Sequence, residues 1–117
     1  MAAPNIVNVA TITGKTAVQA VGTSATAIVT NSGGSGKVFK VNALYVANID
    51  GSAAADITVD LFRSSVAYPI ASTVLVPADA SLDILSKAIY LEEGDVLRCT
   101  ASAAGDLTAV CSYEEIS

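Results

Sequence analysis

Histidine and tryptophan are both absent from this 117-residue chain. Without histidine, the commonest general base and metal ligand is missing, and imidazole-based chemistry has no carrier. Two cysteines are too few for a four-ligand zinc site. Charged residues make up only 15% of the chain, with a net charge of −5. Its six basic residues, Lys15, Lys37, Lys40, Arg63, Lys87 and Arg98, are scattered and offer no stripe to nucleic-acid phosphates. The acidic surplus disfavours anionic membrane surfaces, and no run of about 18 apolar residues reads as a membrane-crossing helix. No basic and apolar secretion signal opens the chain, so synthesis in cytoplasm is expected.

Catalytic motifs are missing as well. No nucleophile elbow, Walker loop or dinucleotide fingerprint occurs. The run Gly33-Gly34-Ser35-Gly36-Lys37 lacks the spacing and the following helix of a phosphate loop. Glu92, Glu93 and Asp95 share one turn but lack the other oxygen ligands of a calcium loop, so a solvated acidic turn is the reading. Glu114 and Glu115 read as a polar tail or a partner contact. No catalytic, cofactor-binding or metal-binding residue is assigned, and a non-enzymatic protein is expected.

What the chain does have is alternation. Its 52% apolar content comes largely from Ala and Val, which with abundant Thr and Ser favours thin, strand-built layers. Residues 5–13 read as a first strand broken at Gly14-Lys15, followed by short strands at 16–21 and 23–30. Residues 31–36 (NSGGSG) form the clearest polar loop, placed here as a hairpin tip. Residues 37–49 are the longest strand candidate, with Phe39, Val41, Ala43, Tyr45, Ala47 and Ile49 on one face, while Leu44 and Val46 on the other imply a second half covered on both sides, as in a central strand. In residues 56–62, Ile57, Val59 and Leu61 point inward while Thr58 and Asp60 point outward. Pro69 cannot donate to a ladder, which puts residues 66–76 at a sheet edge or a bulge. Short strands at 81–85 and 89–91 follow.

The last part of the chain alternates most clearly. Leu97, Cys99 and Ala101, then Leu107, Ala109, Cys111 and Tyr113, form two period-two runs around a turn at Gly105. They are predicted to pair as a hairpin with a three-residue loop, setting Cys99 opposite Cys111 on the buried face. The cysteines are expected to be buried thiols. The whole chain is predicted to be one all-β domain, residues 1–117, an antiparallel β-sandwich of about eight strands, jelly-roll-like, with strand order left open by the sequence.

Four segments carry a family resemblance: MAAPNIVNVATITGKT, SGKVFKVNALYVANIDG, VPADASLDILSKAIYLEEGDVLRCTAS and CSYEEIS. With the turn Tyr90-Leu91-Glu92-Glu93-Gly94-Asp95, they resemble small virion structural proteins of tailed phages, especially those of marine and freshwater cyanobacterial phages. The resemblance implies a capsid decoration (cement) protein on the virion surface, made in the host cytoplasm, with tail or baseplate proteins as the alternative. Implied partners are the major capsid protein and copies of the chain itself. A homotrimer is expected from the threefold points of such lattices. Contact is expected at Pro4, Asn5 and the loop Asn31, Ser32, Gly33, Gly34, Ser35 and Gly36. A rival reading is a carbohydrate-binding module using exposed Tyr68 and Tyr90.

Overall fold

The computed structural model describes residues 9–117. Nine strands are present among them: β1 (Ile12–Ala20), β2 (Thr26–Thr30), β3 (Val38–Asn48), β4 (Ala55–Arg63), β5 (Val66–Val76), β6 (Ser81–Asp83), β7 (Ile89–Leu91), β8 (Val96–Ala101) and β9 (Leu107–Ile116). They form two antiparallel sheets packed as a sandwich. One runs β1-β9-β3, with β6 and β7 both on the far edge of β3, and the other runs β2-β8-β4-β5.

The pairings are nested. β4 pairs with β5, β3 with β6 and β7, β2 with β8, and β1 with β9. The chain is therefore one long hairpin rolled so that successive pairs fall alternately into the two sheets, which is the jelly-roll arrangement. Ladders between β3 and β9 and between β4 and β8 join the rolled pairs side by side.

The core is made by inward alternation from both layers. β4 contributes Ile57 and Val59, β8 Leu97, Cys99 and Ala101, β9 Leu107, Ala109 and Cys111, and β3 Leu44 and Val46, all buried. Burying a Leu or Ile of this kind stabilises the fold by roughly 2 kcal/mol. Cys99 and Cys111 are free and reach the same interior from opposite sheets. Burial pushes the Cys99 thiol up to about 12 and the Cys111 thiol up to about 11. Both stay protonated at neutral pH and pack as small apolar groups.

Three sequence expectations change. First, β8 and β9 are not a hairpin. Their buried faces are as predicted, but the segment between them crosses from one sheet to the other, and each pairs with other strands. Alternation reports which face is buried, and it reads the same for two strands of one sheet or two strands in facing sheets. Second, β1 runs unbroken through Gly14 and Lys15, opposite Glu114 and Tyr113 of β9. The strand expected at residues 5–13 lies partly outside the described residues, and residues 9–11 are not strand.

Third, β3 changes face midway. A bulge between Val41 and Ala43 breaks the register with β9. Before it Phe39 and Val41 are buried, and after it Leu44, Val46 and Asn48 are buried while Tyr45 is 50% exposed. One extra residue moves every later side chain to the other side of the sheet. Pro69 stands as expected in an edge strand, since among the described residues β5 pairs only with β4.

Candidate assembly surface

One end of the sandwich gathers the polar loops that the sequence singles out. Asn31 is fully buried there, at the crossover from β2 to β3. Its Nδ2 donates to the carbonyls of Lys37 (3.0 Å) and Leu91 (2.9 Å), and its Oδ1 accepts from Ser35 Oγ. Its main-chain N–H donates to Asp95 O, and its carbonyl accepts from Gly94 N–H. Every polar group of the residue is committed inside the chain. Gly36 N–H adds a bond to Glu93 Oε2, so the 31–36 loop is clipped to the acidic turn instead of standing free as a hairpin tip.

The acidic turn is itself neutralised. Arg63, at the end of β4, donates through Nε to Asp95 Oδ1 (2.7 Å) and through Nη2 to Asp95 Oδ2 and Glu92 Oε2 (2.8 Å). Desolvation pushes the buried Asp95 carboxyl up, but Arg63 and the Glu92 N–H together outweigh it and hold the group below its ordinary range. Arg63 is correspondingly raised, chiefly by the Asp95 hydrogen bonds. A second charge knot lies nearby, where Glu115 bridges Lys15 (2.9 Å) and Lys37 (3.1 Å). The Lys15 hydrogen bond, helped by Lys37, holds the Glu115 carboxyl low. Among the described residues no cluster of three potential metal ligands occurs.

These two carboxylates set a pH dependence. Because Asp95 and Glu115 hold protons less readily folded than unfolded, the unfolded chain is protonated first as pH falls. Their contribution is complete above the ordinary carboxylate range of about 4 and is lost as pH drops through the folded values. The urea midpoint should therefore hold from pH 7 to 5 and fall below about pH 4. Asp95→Asn should start lower and decline less. An Asp95→Asn decline as steep as that of the unmodified chain would contradict this account.

Of the expected contact residues, Ser32, Gly33 and Gly34 are exposed, Ser35 and Gly36 are half-buried, and Asn31 has no side-chain group left to offer. Pro4 and Asn5 lie outside the described residues. Tyr68 and Tyr90 are both exposed but stand on different sheets, so they do not form one platform.

The surface that the sequence did not single out is the outer face of the β1-β9-β3 sheet. Cross-strand register sets three rows there: Thr16, Ser112 and Ala43; Val18, Val110 and Tyr45; Ala20, Thr108 and Ala47. Directly opposed residues share a face. None of the nine carries a charge, and the middle row is the most apolar, with Val18 75%, Tyr45 50% and Val110 39% exposed. The charged residues Lys40 and Glu114 and the half-exposed Tyr90 lie beyond the patch toward the polar end. An uncharged patch with an apolar middle row and a polar border has the make-up of a protein-contact surface. The signal was present in the alternation of residues 107–113, but the β3 bulge hid the contribution of Tyr45.

No family model matches the chain, and no curated protein is similar to it. Among solved structures, it is similar to a chain reported under the words "Bacillus endospore appendages form a novel family of disulfide-linked pili". The TM-score is 0.55 at 14% identity, over 92% of this chain and 88% of that one. At that identity the likeness is one of fold.

Proposed function

We propose that this protein is a structural subunit that works by adhesion within a larger assembly, and that its specific role is decoration of a phage capsid. The observation that carries the reading is the uncharged three-row face of the β1-β9-β3 sheet. Such a face is suited to burial against the major capsid protein, because covering it leaves no charge without solvent or partner. A subunit that binds only the assembled shell shifts the equilibrium toward that shell by mass action. The resemblance of the sequence to small virion proteins supplies the phage context.

The test is direct. Gold-labelled protein in intact particles of a tailed cyanobacterial phage is expected on the head, and purified protein is expected to bind undecorated capsid shells. Val18→Lys, which places a charge in the patch, is expected to weaken that binding at least tenfold. Label on the tail or baseplate would favour the alternative structural location, and absence from particles would remove the reading.

A second reading has its own support. The fold-level neighbour is described as belonging to pili, so a filament subunit is the competing form of assembly. Electron microscopy of the purified chain separates the two, since filaments formed without shells favour the second.

A further inference from the structure

We propose that β5 is a pairing edge for a second copy of this chain, with the two β5 strands antiparallel about a two-fold axis at Ala71. The inference rests on the assembly reading and names one contact within it. β5 has eleven residues and, among the described residues, pairs on one side only, with β4. Its other side presents unpaired main-chain groups, which invite another strand. On the opposite flank of the sandwich, by contrast, Gln19 of β1 donates to the Ala27 carbonyl of β2 at 2.8 Å and ties those two edges together.

β5 also carries an unusual load of exposed apolar side chains: Val66 47%, Tyr68 54%, Ile70 39%, Val74 37% and Leu75 59%. Natural edges are usually blunted with lysines or other charges. Residues 64–78 contain no Lys, Arg, Asp or Glu. Two copies that each carry −5 can approach along this strip without facing like charges.

The strand's irregularities point to a copy of itself as the partner. In the ladder with β4, Ile70 is extra on one side of Ala71, and one of Ser72 and Thr73 is extra on the other. Thr73 has a left-handed backbone, with φ 48°, and Pro69 has no N–H to donate. With the axis at Ala71, Pro69 of one copy falls opposite Thr73 of the other, so the interrupted positions coincide. Tyr68 then meets Val74, and Ala67 meets Leu75. The faces agree, since Tyr68 and Val74 stand opposite Leu61 and Ile57 of β4, which both belong to its inward set. A straight foreign strand would match neither kink. An isologous contact of this kind closes at two copies.

Sedimentation of the purified full chain is expected to give twice the chain mass of 11.8 kDa. The double variant Tyr68→Lys, Leu75→Lys should sediment as a monomer with an unchanged β-type circular-dichroism spectrum, while Val18→Lys on the other sheet remains dimeric. Directly opposed residues lie within disulfide reach. Mixed Tyr68→Cys and Val74→Cys chains should therefore cross-link under mild oxidation far more than either chain alone. An unmodified chain that is a monomer, a trimer or an open polymer overturns the proposal, as does cross-linking no greater in the mixture. A monomer that still binds capsid shells overturns the β5 contact and leaves the assembly role standing. A monomer that binds none removes both.

Discussion

Arg98→Ala is expected to destabilise the protein by about 3 kcal/mol, the penalty for stranding a buried carboxylate. Arg98 on β8 grips Asp60 on β4 with Nε to Oδ1 at 2.8 Å and Nη2 to Oδ2 at 3.2 Å. Asp60 is only 5% exposed although it lies on the outer side of its sheet. The guanidinium also lies over the Phe62 ring, 4.0 Å from its centroid, so the side chain covers the aspartate and stacks at once. Truncation to Ala removes the partner, the cover and the stacking together. For a domain of this size the melting temperature should fall by roughly 10 °C. The double variant Asp60→Leu, Arg98→Leu should recover most of the loss, because apolar pairs of similar volume commonly replace such ion pairs at little net cost. A thermal and urea double-variant cycle measures this. A loss under about 0.5 kcal/mol for Arg98→Ala would make the pair an ordinary surface contact.

Asn31→Ala is expected to cost about 2–4 kcal/mol, because it leaves the part-buried Lys37 carbonyl and the buried Leu91 carbonyl without their donor. The effect has a location as well as a size. Hydrogen exchange should rise first in the loop from residue 31 to 37 and around Leu91, which the Asn31 side chain holds together. Were Asn31 primarily a partner contact, the same substitution would spare the isolated chain and weaken only its binding. Unchanged stability with lost shell binding would therefore reverse the assignment.

Asn31 also illustrates where sequence reasoning stops. Its neighbours Ser32, Gly33 and Gly34 are the polar, exposed loop that composition promises, whereas Asn31 itself is consumed by main-chain carbonyls up to 60 residues away. Nothing in a local window distinguishes an amide that faces water from one that caps a distant strand. Asp60 is similar: its outward parity was legible, but the Arg98 and Phe62 side chains that bury it come from register. In β4, where no extra residue intervenes, alternation placed Ile57 and Val59 correctly in the core. In β3 a single bulged position reversed the faces of everything after it. The candidate patch was for that reason only half visible, with Val110 and its neighbours in plain alternation and Tyr45 read onto the same face as the buried Phe39 and Val41.

Strand number and spacing pointed to a jelly-roll-like sandwich, while the strand order itself came from the structure. The β8–β9 hairpin came from proximity in the chain, and proximity was the poorer guide. In this fold the β4–β5 turn joins local partners through Ser64 and Ser65, both in left-handed backbone. The outer pairings join segments far apart in the chain.

Nesting has a further consequence for how the molecule comes into being. Of the nine strands, the one latest in the sequence, β9, is an interior strand of its sheet, lying between β1 and β3. Until the β9 segment has been made, β1 lacks, among the described residues, its ladder partner, and β3 lacks the neighbour on one whole flank. Loop closures of that span are slow, and the half-built sheet exposes sticky edges in the meantime. The β1-β9-β3 sheet can therefore be completed only once the β9 segment has been made.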